Sequence, residues 1–306
     1  MKEKDRMRPC IAVIIPTKGR PLELANLLAT LELQTRRPDK IIISASEPSD
    51  IPEMIDLNDR VQVVLGSPGL PAQRNRAWAP IKGTVDTTIF FDDDFIPSRF
   101  WIERAHAFLA AHPSVVCLTG RVIIDGVRLT GLDLAEGPSC VKDADLSAKP
   151  FSATDCVILD NEPPYGCNMA IRGGILDHLT FDERLVLYGW LEDRDFGIRA
   201  SAAGRIVWTD ALWGVHLGTK QGRQSELRFG YSQVVNPWYL MKKGVLTPYQ
   251  AGHNIFRGLV GNAIGSVFPN LILNPRADRP GRLKGNLIGM KDILLGSWAP
   301  EKVIHL

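Results

Sequence analysis

Apolar positions along the chain follow two periods. Residues 10–16 read Cys-Ile-Ala-Val-Ile-Ile-Pro, a continuous apolar run of strand length closed by proline. A run without alternation is what a strand buried on both faces requires, as in a parallel sheet. After a loop over 17–21, Leu24, Leu27, Leu28 and Leu31 recur at helical spacing behind Pro21, a residue suited to a helix's first turn. Further strands are predicted over 40–44, 61–65 and 87–91, and a helix over 72–78 after the turn-rich stretch 66–71. Strands alternating with helices predict βαβ units, the α/β class, and a mostly parallel sheet flanked by helices with right-handed crossovers.

Beyond residue 100 the pattern loosens. Strand-like runs occupy 115–124, 168–172 and 205–208, and a helix opened by carboxylates is expected over 191–203. The Gly-, Pro- and charge-rich stretch 126–151 reads as a long loop. Near the end, Leu283, Leu287, Met290 and Leu294 stand at i, i+4, i+7 and i+11, one stripe of a helix, flanked by Arg282, Lys284 and Lys291. Such a stripe packs a helix on its domain or lays it on an anionic leaflet.

Composition narrows the class. The 306 residues are 45% hydrophobic and 23% charged, with 27 Gly and 21 Pro, which excludes collagen-like, coiled-coil and wholly disordered chains. Five cysteines, at 10, 117, 140, 156 and 167, form no C-x-x-C pair and no zinc spacing, as expected of reduced thiols in a cytoplasmic protein. The opening MKEKDRMRPC carries no apolar signal region, and no run is long and apolar enough to span a bilayer. The expectation is a cytoplasmic protein that at most lies on a membrane. A net charge of +2 leaves no electrostatic footprint for nucleic acid. The charge is unevenly placed, however. Residues 242–302 hold an excess of +6, which leaves −4 on the rest, and peripheral membrane contact through 242–302 is the expectation this raises.

Ligands of parallel sheets bind beyond the carboxyl ends of the strands. The polar residues there are Thr17, Lys18 and Arg20, then Ser46 and Glu47, then Asp92, Asp93 and Asp94. Neither a dinucleotide fingerprint nor a P-loop follows any strand. Three consecutive carboxylates repel one another unless a cation or hydrogen-bond donors compensate. Mg²⁺ or Mn²⁺ is the natural compensator, although a solvated acidic turn ahead of a helix has the same composition. The place at a strand's end favours metal. Glu192-Asp193-Arg194-Asp195 complements the dipole of the helix it opens, and a carboxylate there can also serve as general base. Gly189-Trp190 offers a close approach and an apolar plate for a sugar. Arg74, in Arg74-Asn75-Arg76, suits a diphosphate or a helix surface. His216 reads as a metal ligand, a phosphate donor or a structural ring.

Taken in order, Ile14-Ile15-Pro16-Thr17-x-x-Arg20, Glu47, Arg74-Asn75, Asp92-x-Asp94 and Glu192-Asp193 resemble the family 2 glycosyltransferases, inverting enzymes of the GT-A fold. The resemblance runs over residues 10–220. It implies a GT-A domain over 1–225, with a Rossmann-like nucleotide-sugar half over 8–100 and an acceptor half over 101–225, followed by a helical basic extension over 226–306. Pro16, Thr17, Arg20 and Glu47 would line the nucleoside pocket. Arg74, Asn75, Asp92 and Asp93 would contact the nucleotide sugar, and Asn168 would lie beside the donor sugar. Asp94, with Asp92 and His216, would hold Mg²⁺ or Mn²⁺ on the diphosphate. Asp193 would be the base, with Glu192 its nearest competitor, and Gly189 and Trp190 would meet a saccharide or lipid-linked acceptor. One departure stands out: the second strand ends Ser44-Ala45-Ser46-Glu47 where the family has an Asp-Asp-Gly-Ser type sequence. Two alternatives stay open. One is a nucleotidyltransferase of related architecture, for which residues 17–20 offer a thin phosphate loop. The other is a non-catalytic sugar- or membrane-binding module.

Overall fold

The computed structural model describes residues 9–127, 131–219, 225–268 and 277–306. Strand β1 (Ile11–Pro16) is buried along its whole length and feeds two cores. Ile11, Val13 and Ile15 pack with Leu24, Leu27 and Leu31 of helix α1 (Pro21–Glu32). Ala12 and Ile14 face Ala77 and Trp78 of α2 (Leu70–Trp78). Each such Leu or Ile contributes about 1.5–3 kcal/mol by leaving water. Strands β2 (Lys40–Ala45), β3 (Val61–Leu65) and β4 (Thr87–Phe91) complete a parallel array ordered β3-β2-β1-β4.

Past β4 the sheet reverses. Strands β5 (Phe95–Pro97), β6 (Val115–Asp125), β7 (Ile158–Asp160), β8 (Asn168–Arg172) and β9 (Arg205–His216) extend the order to β3-β2-β1-β4-β8-β6-β9-β5, with β7 on β9. β8 runs antiparallel to β4 and β6, β6 and β9 are parallel, and β5 and β7 oppose β9. The parallel expectation therefore holds for the first half, while the second half is mixed. Phe91 at the end of β4 is paired with Asn168 at the start of β8. This register puts the acidic run beside residues 166–168.

Helix α3 (Trp101–Ala111) covers the face already occupied by α1. Helix α4 (Glu136–Leu146) replaces the long loop expected over 126–151. Its support is tertiary: Val141 packs on Ile96, Val215 and Leu217, and the Asp145 carboxylate accepts from Ser98 Oγ, the Arg99 amide and Trp213 Nε1. Helix α5 (Gly173–Leu176) is one turn, and α6 (Glu192–Ala200) is shorter at both ends than the expected 191–203.

Three helices follow: α7 (Glu226–Lys242), α8 (Pro248–Val267) and α9 (Arg279–Leu294). α9 packs on α7 through its small face, not through the Leu283–Leu294 stripe. A Cβ on Gly285 would collide with the Leu227 carbonyl and the Tyr231 amide, and one on Gly230 with the Arg282 carbonyl. The close approach leaves Asn286 fully buried, with its amide nitrogen donating to the Gly230 carbonyl at 2.7 Å. Leu287 and Leu294 consequently point outward. α7 in turn docks on loop 180–191, where Asn236 Nδ2 donates to the Trp190 carbonyl at 2.9 Å. No helix among the described residues is long and apolar enough to cross a membrane.

Candidate active site

Two adjoining chambers, each ≈ 280 Å³, open over the carboxyl ends of the parallel strands and share Leu70, Asp92 and Tyr188 as a common wall. Pro16, Thr17, Arg20, Asp93 and Arg228 line the first. Gly189, Trp190, Glu192, Asp193, Arg194 and His216 line the second. The structure thus brings the acidic run and the Glu192-Asp193 pair to one cleft.

The three aspartates are handled differently. Asp92 stands at the shared wall with its side chain 24% exposed. Asp93 turns inward, where it accepts from Thr17 Oγ1 and Arg20 Nη1, both at 2.8 Å. Burial pushes its carboxyl up to about 7 against the pull of Arg20. Thr17 and Arg20 are thereby committed to Asp93, which speaks against a phosphate loop over 17–20. Asp94 is buried, and its Oδ2 accepts from the Thr219 amide at 2.8 Å. Burial alone would raise its carboxyl, but the facing His216 and Arg20 hold it below the usual carboxylate range.

Asp92, Asp94 and His216 each offer a ligand atom, all within 4.8 Å of one another. Asp94 Oδ1 faces His216 Nε2 at 3.2 Å as a charge pair and makes no hydrogen bond. On the other side of the ring, Nδ1 lies 3.2 Å from Asp125 Oδ1. A carboxylate behind a histidine fixes the tautomer and turns the far nitrogen toward a metal. Burial would discharge the ring, yet Asp94 and Asp125 hold its proton well above the ordinary histidine range. The neighbouring Cys167 thiol, itself pushed up by burial, stays neutral and adds no charge. Two carboxylates and one imidazole within reach of one another fit a divalent cation, which would take the place of the ring proton between His216 and Asp94.

Arg74 joins the two chambers. Fully buried, it pairs through Nη1 with Glu192 and through Nη2 with Asp92 at 3.1 Å and the Gly166 carbonyl at 2.9 Å. The Gly166 amide donates to Asp193 Oδ2 at 2.9 Å, and the Arg194 amide to Asp193 Oδ1 at 2.7 Å. A Cβ on Gly166 would lie 3.0 Å from Arg74 Nη2 and 3.3 Å from Asp193 Oδ2, so glycine is what lets this peptide sit between them. Burial raises the Asp193 carboxyl, opposed by the Gly166 amide. Glu192, more deeply sequestered, is pushed up by burial to about 8 despite Arg74. The loop ahead of α6 holds Leu187 and Leu191 at φ of 59° and 73°, backbone that a non-glycine residue keeps only where its surroundings enforce it.

The sequence model of the glycosyl transferase family 2 matches residues 12–178, more than half of the chain. The chain belongs to this family. No curated protein matches the sequence. Among solved structures, the mannosyltransferase PcManGT from Pyrobaculum calidifontis, in complex with GDP-Man and Mn²⁺, shares the fold at a TM-score of 0.50 and 14% identity. The match covers 98% of this chain and 79% of that one. S. aureus TarS 1-349 in complex with UDP aligns at a TM-score of 0.48 and 13% identity, over 94% of this chain and 92% of that one. Against the longer TarS chain the TM-score is 0.47 at 15% identity, over 84% of this chain and 44% of that one. This chain thus spans less than half the length of that TarS.

Several residues expected at the site of this family 2 member are placed elsewhere. Glu47 is exposed and lies outside both chambers, while Asp50 holds the loop by accepting from the Gly19, Ser46 and Glu47 amides. Asn75 faces away from the cleft, exchanging hydrogen bonds with the backbone of Phe181 at 2.9 Å. Asn168 is fully buried, its Oδ1 accepting from the Gly120 amide at 2.7 Å, so it pins β6 to β8 and does not face a sugar. Arg74, expected on the nucleotide, has both amino nitrogens engaged by the protein. Sequence reasoning missed Asp125, Thr219 and Gln73. Buried Gln73 donates to the Thr17 and Ser44 carbonyls, both at 2.8 Å, and so clamps the ends of β1 and β2. Its place one residue before Arg74 was the only local signal.

Proposed function

We propose that the protein transfers a sugar, with inversion, from a nucleoside-diphosphate sugar to a hydroxyl of a saccharide or lipid-linked acceptor. The transfer would serve polysaccharide or glycolipid assembly, with residues 1–225 as the transferase and 226–306 as its extension. The observation that carries this reading is the Gly166 peptide. Its carbonyl shares Arg74 with Asp92 and its amide holds Asp193, so the diphosphate side and the acceptor side of the cleft meet at one point.

On this reading the first chamber takes the nucleotide against Pro16, Thr17 and Arg20, and the sugar reaches over Asp92 into the second. Asp92, Asp94 and His216 would hold Mg²⁺ or Mn²⁺, and of the two the imidazole suits Mn²⁺ better. When bound, the ion neutralises charge developing on the departing diphosphate. Asp193 takes the proton of the acceptor hydroxyl. Two backbone donors fix its orientation, and its raised carboxyl is a stronger base than an ordinary aspartate. Attack from the side opposite the leaving group inverts the anomeric centre. Glu192, tied to Arg74, positions the site without touching substrate, while Trp190 offers the acceptor an apolar plate.

The test is turnover with nucleotide sugars in the presence of Mn²⁺. Release of nucleoside diphosphate that chelation abolishes is expected. Asp193→Asn should keep donor binding and lose about 10²–10⁴-fold in turnover, the usual contribution of a general base. Full activity in that variant would remove Asp193 from the role, and no turnover with any common donor would overturn the reading.

A further inference from the structure

Helix α8 presents an apolar face to solvent. Tyr249, Phe256, Val260, Ile264 and Val267 fall within one helical stripe, followed by Phe268, and Phe256, Val267 and Phe268 are 64%, 68% and 56% exposed. None of the described residues covers them. On α9, which packs against α8, Leu287 and Leu294 are also turned out, 59% and 80% exposed. Soluble surfaces rarely gather large apolar side chains this way without a partner.

The exposed charges on the same two helices are basic. α8 contains no Asp or Glu. Around α9, Asp278 caps the helix by accepting from the Gly281 amide, and Asp292 is taken by Tyr231 and Lys302. Arg257, Lys284 and Lys291 are exposed, and no described carboxylate pairs with them. An outward face of aromatic and aliphatic groups flanked by unpaired cations is the pattern of a helix lying in a lipid headgroup region. A second copy of the chain fits less well, because a two-fold contact would set the cations of one face against those of the other.

We propose that the α8–α9 face docks on the surface of an anionic bilayer, with Phe256, Val260, Ile264, Val267 and Leu287 entering the acyl boundary. Arg257, Lys284 and Lys291 meet lipid phosphates at the rim. This inference goes beyond the transferase reading and does not depend on it.

Flotation of the full chain with vesicles of phosphatidylcholine, alone or mixed with phosphatidylglycerol, tests it. Recovery with the mixed vesicles, weakened by salt and small with the neutral ones, is expected. Lys284→Gln combined with Lys291→Gln should lower the partition by about thirtyfold, as expected for two basic groups near an anionic surface. Phe256→Glu should abolish flotation with thermal unfolding unchanged, and Leu287→Ser serves as a second variant should the first lose stability. No recovery with mixed vesicles, or equal recovery with both kinds, overturns the proposal. So does a concentration-dependent dimer in sedimentation velocity that Phe256→Glu dissolves while the wild type fails to float. Loss of catalytic activity would not affect any of these readings.

Discussion

Arg74 shows how a residue can be legible in sequence while its task is not. An arginine shortly after a Gly/Pro turn suggested a diphosphate, but the guanidinium is fully enclosed between Phe90 and Phe181, 5.8 and 5.2 Å from their centroids, and serves three protein acceptors. Arg74→Met would keep much of the volume and strand Glu192 without its partner. Removing one member of a buried ion pair destabilises by about 3–5 kcal/mol, which a urea midpoint will register. Arg74→Lys, a point charge without the planar fork, should recover only part of that loss. The acidic residues were easier to read, since Asp92, Asp94 and Asp193 sit at element ends where chemistry collects. A motif fixes where a residue lies but not where its side chain points. That is why Asn75 and Asn168 were expected on a ligand and are found stitching backbone. Asp125 gave no local sign, because its role exists only once β6 and β9 are paired in register.

At the scale of elements, the buried parallel strands β1, β2 and β4 were plain in the sequence because burial on both faces leaves an unbroken apolar run. The antiparallel insertion of β8 was not, since pairing partners are set by distant contacts that no local period records. Helix α4 was hidden for a related reason, its polar sequence being held by Ser98, Trp213 and the Leu217 region. The seat of α7 on loop 180–191 carries a pH signature. Asp182 accepts from Tyr239 Oη at 2.7 Å and Lys243 Nζ at 2.6 Å. Burial would raise its carboxyl, but these bonds outweigh it and hold the group low. A depressed carboxyl stabilises the fold fully above the ordinary range near pH 4 and loses that contribution as the pH falls below it. Asp182→Asn should therefore be less stable at neutral pH and show a flatter acid-side decline in thermal unfolding. The glycine seam between α7 and α9 gives a second expectation: Gly285→Ala forces the helices apart and should lower stability by about 1–3 kcal/mol, as overpacking does. Calorimetry of the variant checks it.

On the scale of the whole molecule, two halves of different sheet topology are joined at one cleft, and most of the described basic residues of 242–302 lie on the helices beyond it. The alternation of strands and helices predicted the first half, and the family resemblance supplied what periodicity could not say of the second. The partners that form the cleft lie far apart in the chain. Thr17 meets Asp93 across 76 positions, Arg74 meets Glu192 across 118, and Arg20 meets the Thr219 carbonyl across 199. Closing such loops is entropically slow, whereas helices form from near neighbours. Refolding from denaturant should accordingly restore the far-ultraviolet helical signal well before the capacity to bind nucleoside diphosphate, a lag that stopped-flow measurements can resolve. The cleft would then be the last thing the chain acquires and, during synthesis, the part whose arrival waits on residues beyond 216.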